Sequence, residues 1–205
     1  MDERVLAIDM SSKSGWAFLI SSDDKLTLMA SGQIPAIHQP VGKYPDNYVL
    51  WAYQIFSTIV DLVETYTPDV LVIEETVAGS KSVMSQKILE FSHMLLARMI
   101  RETGIKSRYF LTGEWRSIIG CKMTKEEKKR NKDVVDYKKK TGAKLARDKN
   151  NKVIGKLTKK HINIRRVNEI LFDQLPRLFV KKDEDQADAC GLGIAYHIEK
   201  TGVKL

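Results

Sequence analysis

A chain of 205 residues with 43% hydrophobic content is long enough for one substantial core and too short for two comfortable domains. Only two cysteines, Cys121 and Cys190, and four scattered histidines speak against a disulfide framework and a zinc site and fit a reducing, cytoplasmic setting; no apolar run reaches the length of a membrane helix, and "MDERVLAIDM" lacks a signal-peptide layout. The net charge of +8 is concentrated, because residues 122–160 hold 16 Lys/Arg against 5 Asp/Glu, a net of +11, which leaves −3 for the remainder. A mildly acidic body with one basic segment suits a polyanion, nucleic acid first in line; a solvated charged loop is the plainer alternative.

In chain order, Val5–Ile8 is a short apolar run that ends at Asp9, and "MSSKSG" is a turn of small and polar residues. "WAFLI" (Trp16–Ile20) resumes a strand pattern, "SSDDK" turns the chain, and Leu26–Ile34 reads as a third strand, so the first three strands form an antiparallel meander. Residues 35–46 carry three prolines and read as a loop. Apolar residues then recur at helical spacing from Asn47 to Tyr66, with Pro68 helping to end the helix. Val70–Ile73 is apolar enough for a strand buried on both faces, yet it runs straight into Glu74 and Glu75. A second long helix spans Ser82 to about Thr103 and stops at Gly104; "KSRYFL" is a fifth strand, and "TGEWRSIIG" opens as a short helix. The basic segment lacks a steady apolar period, and "KTGAKLARDKNNKVIG" reads as a mobile hairpin or loop. "HINIRRVNEILF" restores a helix, and the last helix runs from about Glu184 to Glu199. This order gives a mixed α/β sheet with a meander at one side; residues 1–205 read as one domain, with 122–160 as a basic, mobile insertion within it.

The acids sit where apolar elements end or begin. Asp9 ends the first strand and Glu74 the fourth, while Asp185 and Asp188 are three apart at the start of the last helix and so share a face. Carboxylates that converge repel one another unless protons or a cation neutralise them. Oxygen-only ligands favour Mg²⁺ or Mn²⁺, and two such ions roughly 3.5–4 Å apart can clamp the attacking and leaving oxygens of a phosphate displacement. The plain reading is that Asp9 serves its turn and that Asp183, Glu184, Asp185 and Asp188 complement a helix dipole. Because side chains alternate along a strand, only one of Glu74 and Glu75 faces a given side.

"LAIDMSSKSGWAFLI", "DVLVIEETVAGSKSVMSQKILEFSHMLLARMIRE" and "QADACGLGIAYH", in that order, resemble the RuvC Holliday-junction resolvases of the ribonuclease H-like superfamily, their phage-encoded relatives in particular. The resemblance covers most of the chain outside residues 121–156. It implies a five-stranded mixed sheet of order 3-2-1-4-5 flanked by helices. It also implies a homodimer that binds four-way DNA junctions and nicks opposed strands, leaving 5′-phosphate and 3′-hydroxyl ends. Asp9, Glu74, Asp185 and Asp188 take the places of the family's catalytic acids, which hold two Mg²⁺. The helix from Ser82 would contribute to the dimer interface, with Met84, Ile88 or Phe91 available there.

Three departures stand out. The aromatic residue that cellular members place three residues after the strand-four Glu is Val77 here; the turn after Asp9 is "MSSKSG"; and the segment before the last two helices is longer and more basic. Lys159, Lys160 or Arg116 is the candidate cation beside the scissile phosphate. Lys128, Lys129, Arg130, Lys138, Lys139 and Lys156 are candidate DNA contacts, suited to backbone rather than base contact and expected to order on DNA. Trp16, Trp51 and Trp115 read as packing residues. The alternatives are a structure-tolerant fork or flap endonuclease and an inactive junction-binding protein. An actin-like kinase would need a second phosphate loop that the sequence lacks.

Overall fold

Residues Val5 to Ile8 can be apolar without alternation because both faces of their strand are covered. β1 (Glu3–Asp9), β2 (Gly15–Ser21) and β3 (Leu26–Gln33) form the antiparallel meander, and β4 (Val70–Glu74) and β5 (Lys106–Phe110) add parallel strands on the other side of β1. The result is a five-stranded mixed sheet of order β3-β2-β1-β4-β5. This is a computed structural model, and it describes residues 2–11, 14–34, 42–75, 83–147, 153–203 and 205.

Alternate residues of the central strands feed two separate cores. Leu6, Ile8, Leu71 and Ile73 pack with Ala52, Ile55 and Ile59 of α1 (Asp46–Tyr66) and with Ile88, Leu96 and Met99 of α2 (Val83–Thr103). Val5, Ala7, Val70 and Val72 pack on the opposite face, where α3 (Thr112–Ile118), α5 (Lys159–Ile170) and α6 (Glu184–Thr201) supply Trp115, Ile164, Val167 and the apolar face of the last helix. Ile88, expected to be available at a dimer interface, is instead 2% exposed and belongs to the core; Val83 and Met94 are the exposed apolar residues of α2. The helical period decides this, since Ile88, Ser92, Leu96 and Met99 recur on the face turned to the sheet.

The basic segment departs from expectation in its first half, which is helical, and agrees with it in the hairpin that follows. Lys125–Thr141 is a 17-residue helix, α4, and Ala146–Arg147 (β6) pairs with Val153–Ile154 (β7) as a small antiparallel hairpin. Apolar periodicity is weak in α4 because the helix buries only Val134. Its ends carry the signal instead. Thr124 accepts from the Glu127 backbone N–H at 3.2 Å, the Glu127 side chain accepts from the Thr124 N–H at 2.8 Å, and Gly142 closes the helix in the left-handed conformation. The body holds the helix through Arg165, which bonds Glu127 at 2.9 Å, and through Asn131, whose amide bonds both the N–H and the carbonyl of Leu157, at 2.7 and 3.0 Å.

Candidate active site

The parity of the strands fixes which carboxylates can meet. Asp9 continues the Val5–Ala7 face and Glu74 the Val70–Val72 face, so both point to the α6 side of the sheet. β1 and β4 run parallel with Ile8 opposite Ile73, which brings Asp9 and Glu74 to adjacent strand ends. Their carboxyls are close enough to interact. Glu75 faces away, alongside Glu90, His93 and Tyr109.

α6 brings the other two acids. Its first turn lies directly on Gly15, the partner of Asp9 in the β1–β2 ladder; a Cβ at Gly15 would run into the Asp185 backbone. Asp183 fixes where this helix begins. It accepts from the Val180 N–H at 2.9 Å and takes both arms of Arg177 at 2.7 and 2.9 Å, which hold its carboxyl down at about 2. Glu184 bonds Lys160 at 2.7 Å. These two acids serve structure, while Asp185 and Asp188, 8% and 4% exposed, turn inward to Asp9.

Burial dominates the electrostatics. It drives the Asp9 carboxyl well above the usual range, and the neighbouring Glu74 carboxyl and the charges of Asp188 and Asp185 push the same way. Burial raises Asp188 to about 6 even though Arg116, Asn163 and Lys160 all favour its ionised form. Burial works against the Lys160 ammonium, but the Glu184 bond and the charges of Glu184, Asp185 and Asp188 outweigh it and raise its pKa. The fold thus gathers more negative charge than its own cations offset.

Two residues that the sequence reading does not single out complete the shell. Thr112 donates to Glu74, with the Trp115 indole N–H at 3.5 Å from the same oxygen. Asn163, fully buried, donates from Nδ2 to Asp188 Oδ1 at 3.0 Å, while Arg116 Nη2 stands 3.3 Å from Oδ2. A signal existed for Asn163: it sits four residues before Val167, so a polar side chain interrupts the buried stripe of α5. Trp115 is fully buried, as a packing residue should be.

Four carboxylates form an oxygen-only donor set of the kind that suits a hard divalent cation, and the raised proton affinity of Asp9 and Asp188 shows that the site favours added positive charge. As the side chains stand, no three His, Cys, Asp or Glu among the described residues surround a common point. Glu74 is held by Thr112, and Asp188 by Arg116 and Asn163.

The candidate DNA contacts fall into two groups. Arg116 and Lys160 lie beside the acids, Arg116 already paired with Asp188 and Lys160 with Glu184, while Lys159 lines a neighbouring cavity with Arg116 and Asn163. Lys128, Lys129, Arg130, Lys138 and Lys139 are exposed along α4, and Lys156 is exposed after the hairpin. Val77 and the Ser12–Lys13 part of the turn after Asp9 lie outside the described residues.

No protein-family model matches the sequence, and no curated protein does. Among solved structures, the fold is similar to that of Thermus thermophilus RuvC, with a TM-score of 0.59 at 12% identity over 97% of this chain and 96% of that one. It is similar also to T. thermophilus RuvC in complex with Holliday junction substrate, with a TM-score of 0.57 at 10% identity over 97% and 96% of the two chains. The architecture is the RuvC form of the ribonuclease H-like fold. Among the described residues, no helix is long and apolar enough to cross a membrane.

Proposed function

We propose that this protein is a divalent-metal-dependent endonuclease of the RuvC resolvase type, binding four-way DNA junctions as a homodimer and nicking opposed strands. The observation that carries the reading is the convergence of Asp9, Glu74, Asp185 and Asp188 from β1, β4 and α6 on one end of the sheet. The fold it shares with RuvC, a protein solved with Holliday junction substrate, supports the choice of DNA substrate.

Asp9, Glu74, Asp185 and Asp188 are the residues that would hold two Mg²⁺ or Mn²⁺ ions, which when bound supply Lewis-acid charge for attack of water on a phosphodiester, giving 5′-phosphate and 3′-hydroxyl ends. The chain's own groups do the rest. Thr112 and Asn163 orient Glu74 and Asp188, Lys160 places a cation next to the acids, and α4 offers a lysine-rich surface for the phosphates of the junction arms.

The test is cleavage of end-labelled four-way junction, splayed fork and linear duplex, with Mg²⁺ and with EDTA, by the wild-type protein and Asp9→Asn. Paired metal-dependent nicks confined to the junction and lost in the variant are expected. Equal cutting of the fork would replace the resolvase with a general branched-DNA nuclease. Tight junction binding by folded protein without any cutting would make it a binding protein.

A further inference from the structure

Behind the carboxylates, between α3 and α5, lies a cavity of about 340 Å³ lined in part by Thr112, Arg116, Cys121, Lys122, Lys159 and Asn163. Three cations border it, and no carboxylate among the described residues lines it. Its size falls in the range of sites that hold small organic ligands, roughly 300–1,000 Å³.

Three of its lining residues are the ones that grip the acids: Thr112 holds Glu74, and Arg116 and Asn163 hold Asp188. Two of those three are left incomplete. Asn163 Oδ1 and Arg116 Nε are buried and have no hydrogen-bond partner. The orientation of the Asn163 amide follows from its neighbour, since only Nδ2 can donate to the Asp188 carboxylate. Just beneath the wall, closed to solvent, lie one unused acceptor and one unused charged donor, an arrangement that is costly unless something supplies the partners.

We propose that this cavity is a nucleotide subsite that takes one unpaired nucleotide of the cleaved strand. Its phosphate lies against Lys122, Lys159 and Arg116, and a small shift of the Asn163 side chain brings the now sealed Oδ1 to an N–H of its base. The inference rests on the nuclease reading and deepens it. The cavity has room for a single nucleotide but not for a base pair, so the strand must present that nucleotide unstacked, which costs least where DNA is already branched. Occupancy would be felt by Glu74 and Asp188 through the same three side chains that hold them, giving the enzyme a way to favour branched over linear DNA that does not depend on an aromatic wedge.

Cys121 provides the readout. It lines the cavity and is partly exposed, whereas Cys190 is fully buried and serves as an internal control. The full-length protein in EDTA is titrated with each 2′-deoxynucleoside 5′-monophosphate, with inorganic phosphate and with the matching deoxynucleosides, and the rate of Cys121 alkylation is followed by mass. Saturating nucleotide is expected to slow labelling at least about tenfold. Lys122→Ala should weaken the nucleotide by about tenfold or more, the loss of one charge-assisted contact. Ser117→Trp, which fills the cavity mouth from an exposed position, should abolish protection.

Equal protection by phosphate alone would overturn the nucleotide assignment in favour of a simple anion site. Nucleotide binding that leaves Cys121 labelling unchanged, or no binding at all, would overturn the subsite. Junction cleavage by the same preparation separates the two ideas: cutting without protection removes the subsite and leaves the nuclease, while protection without cutting does the reverse.

Discussion

The carboxyls of Asp9 and Glu74 stand side by side at the ends of two adjacent parallel strands, close enough for each to bear on the other's charge. Burial and this crowding drive the Asp9 carboxyl well above its usual range, and Asp188 and Asp185 add further negative charge from the helix above. The site is built around a cationic deficit, which the surrounding side chains maintain.

Asp9→Asn removes one of the crowded charges. Metal-dependent cleavage should fall by more than the roughly 10–100-fold expected for a residue that merely supports a ligand. The metal-free variant should nonetheless melt at or above the wild-type temperature, because a buried, poorly compensated acid has been neutralised. Thermal unfolding and junction cleavage, measured side by side, check both halves.

Asp188 carries a pH signature. Its pKa lies at about 6 in the fold against an ordinary 3.8, so the folded state holds the proton more tightly than the unfolded chain. Its contribution is complete below about pH 4 and is lost as pH rises to about 6, at a cost of about 3 kcal/mol to the metal-free protein. Asp9 acts in the same direction. Denaturant titrations in EDTA should show this fall, Asp188→Asn should flatten it, and Mg²⁺ should raise the melting temperature more at pH 8 than at pH 5.

Asn163→Ala leaves Asp188 without its 3.0 Å donor in a fully buried setting. A stability loss of about 1–3 kcal/mol is expected, with cleavage reduced roughly 10–100-fold. Single-turnover rates on a junction at saturating Mg²⁺, compared with junction affinity, would show whether the loss lies in chemistry, as expected, or in binding.

Replacing Lys128, Lys129, Arg130, Lys138 and Lys139 together by Ala strips exposed charge from α4 without touching Val134 or the Thr124–Glu127 cap. The melting temperature should hold, while the dependence of junction affinity on salt becomes shallower by about 0.9 in log–log slope for each phosphate contact removed. An unchanged slope would take α4 out of the DNA interface.

Gly15→Ala places a methyl group where the Asp185 backbone lies. Backbone cannot yield as a flexible side chain does, so the start of α6 must shift, at a cost of about 1–3 kcal/mol. Because that shift carries Asp185 and Asp188 away from Asp9, cleavage should suffer more than stability. Comparing the two against Gly113→Ala, where the added methyl meets nothing, isolates the effect.

The order of elements and the acids at their ends were legible in the sequence because strand parity and helical period are local properties. β1 and β4 announce themselves as runs buried on both faces, and the spacing of Asp185 and Asp188 places them on one face of α6. α4 was not legible from apolar periodicity, since a helix that buries only Val134 has almost no stripe to read; the Thr-x-x-Glu cap and the closing glycine were the available signals. Ile88 was misjudged for the opposite reason: an apolar residue on a two-sided helix says nothing of which side meets the sheet.

The sequence by itself thus determined a mixed sheet, a set of acids and a basic segment, all of which follow from short-range spacing. Only the tertiary structure decided that Glu74 rather than Glu75 turns toward Asp9, and that Gly15 lets α6 come close enough to deliver its acids. It alone also put Thr112 and Asn163 behind Glu74 and Asp188, beside a cavity. Those contacts join residues far apart in the chain, and their geometry depends on how three layers pack, which no local periodicity encodes.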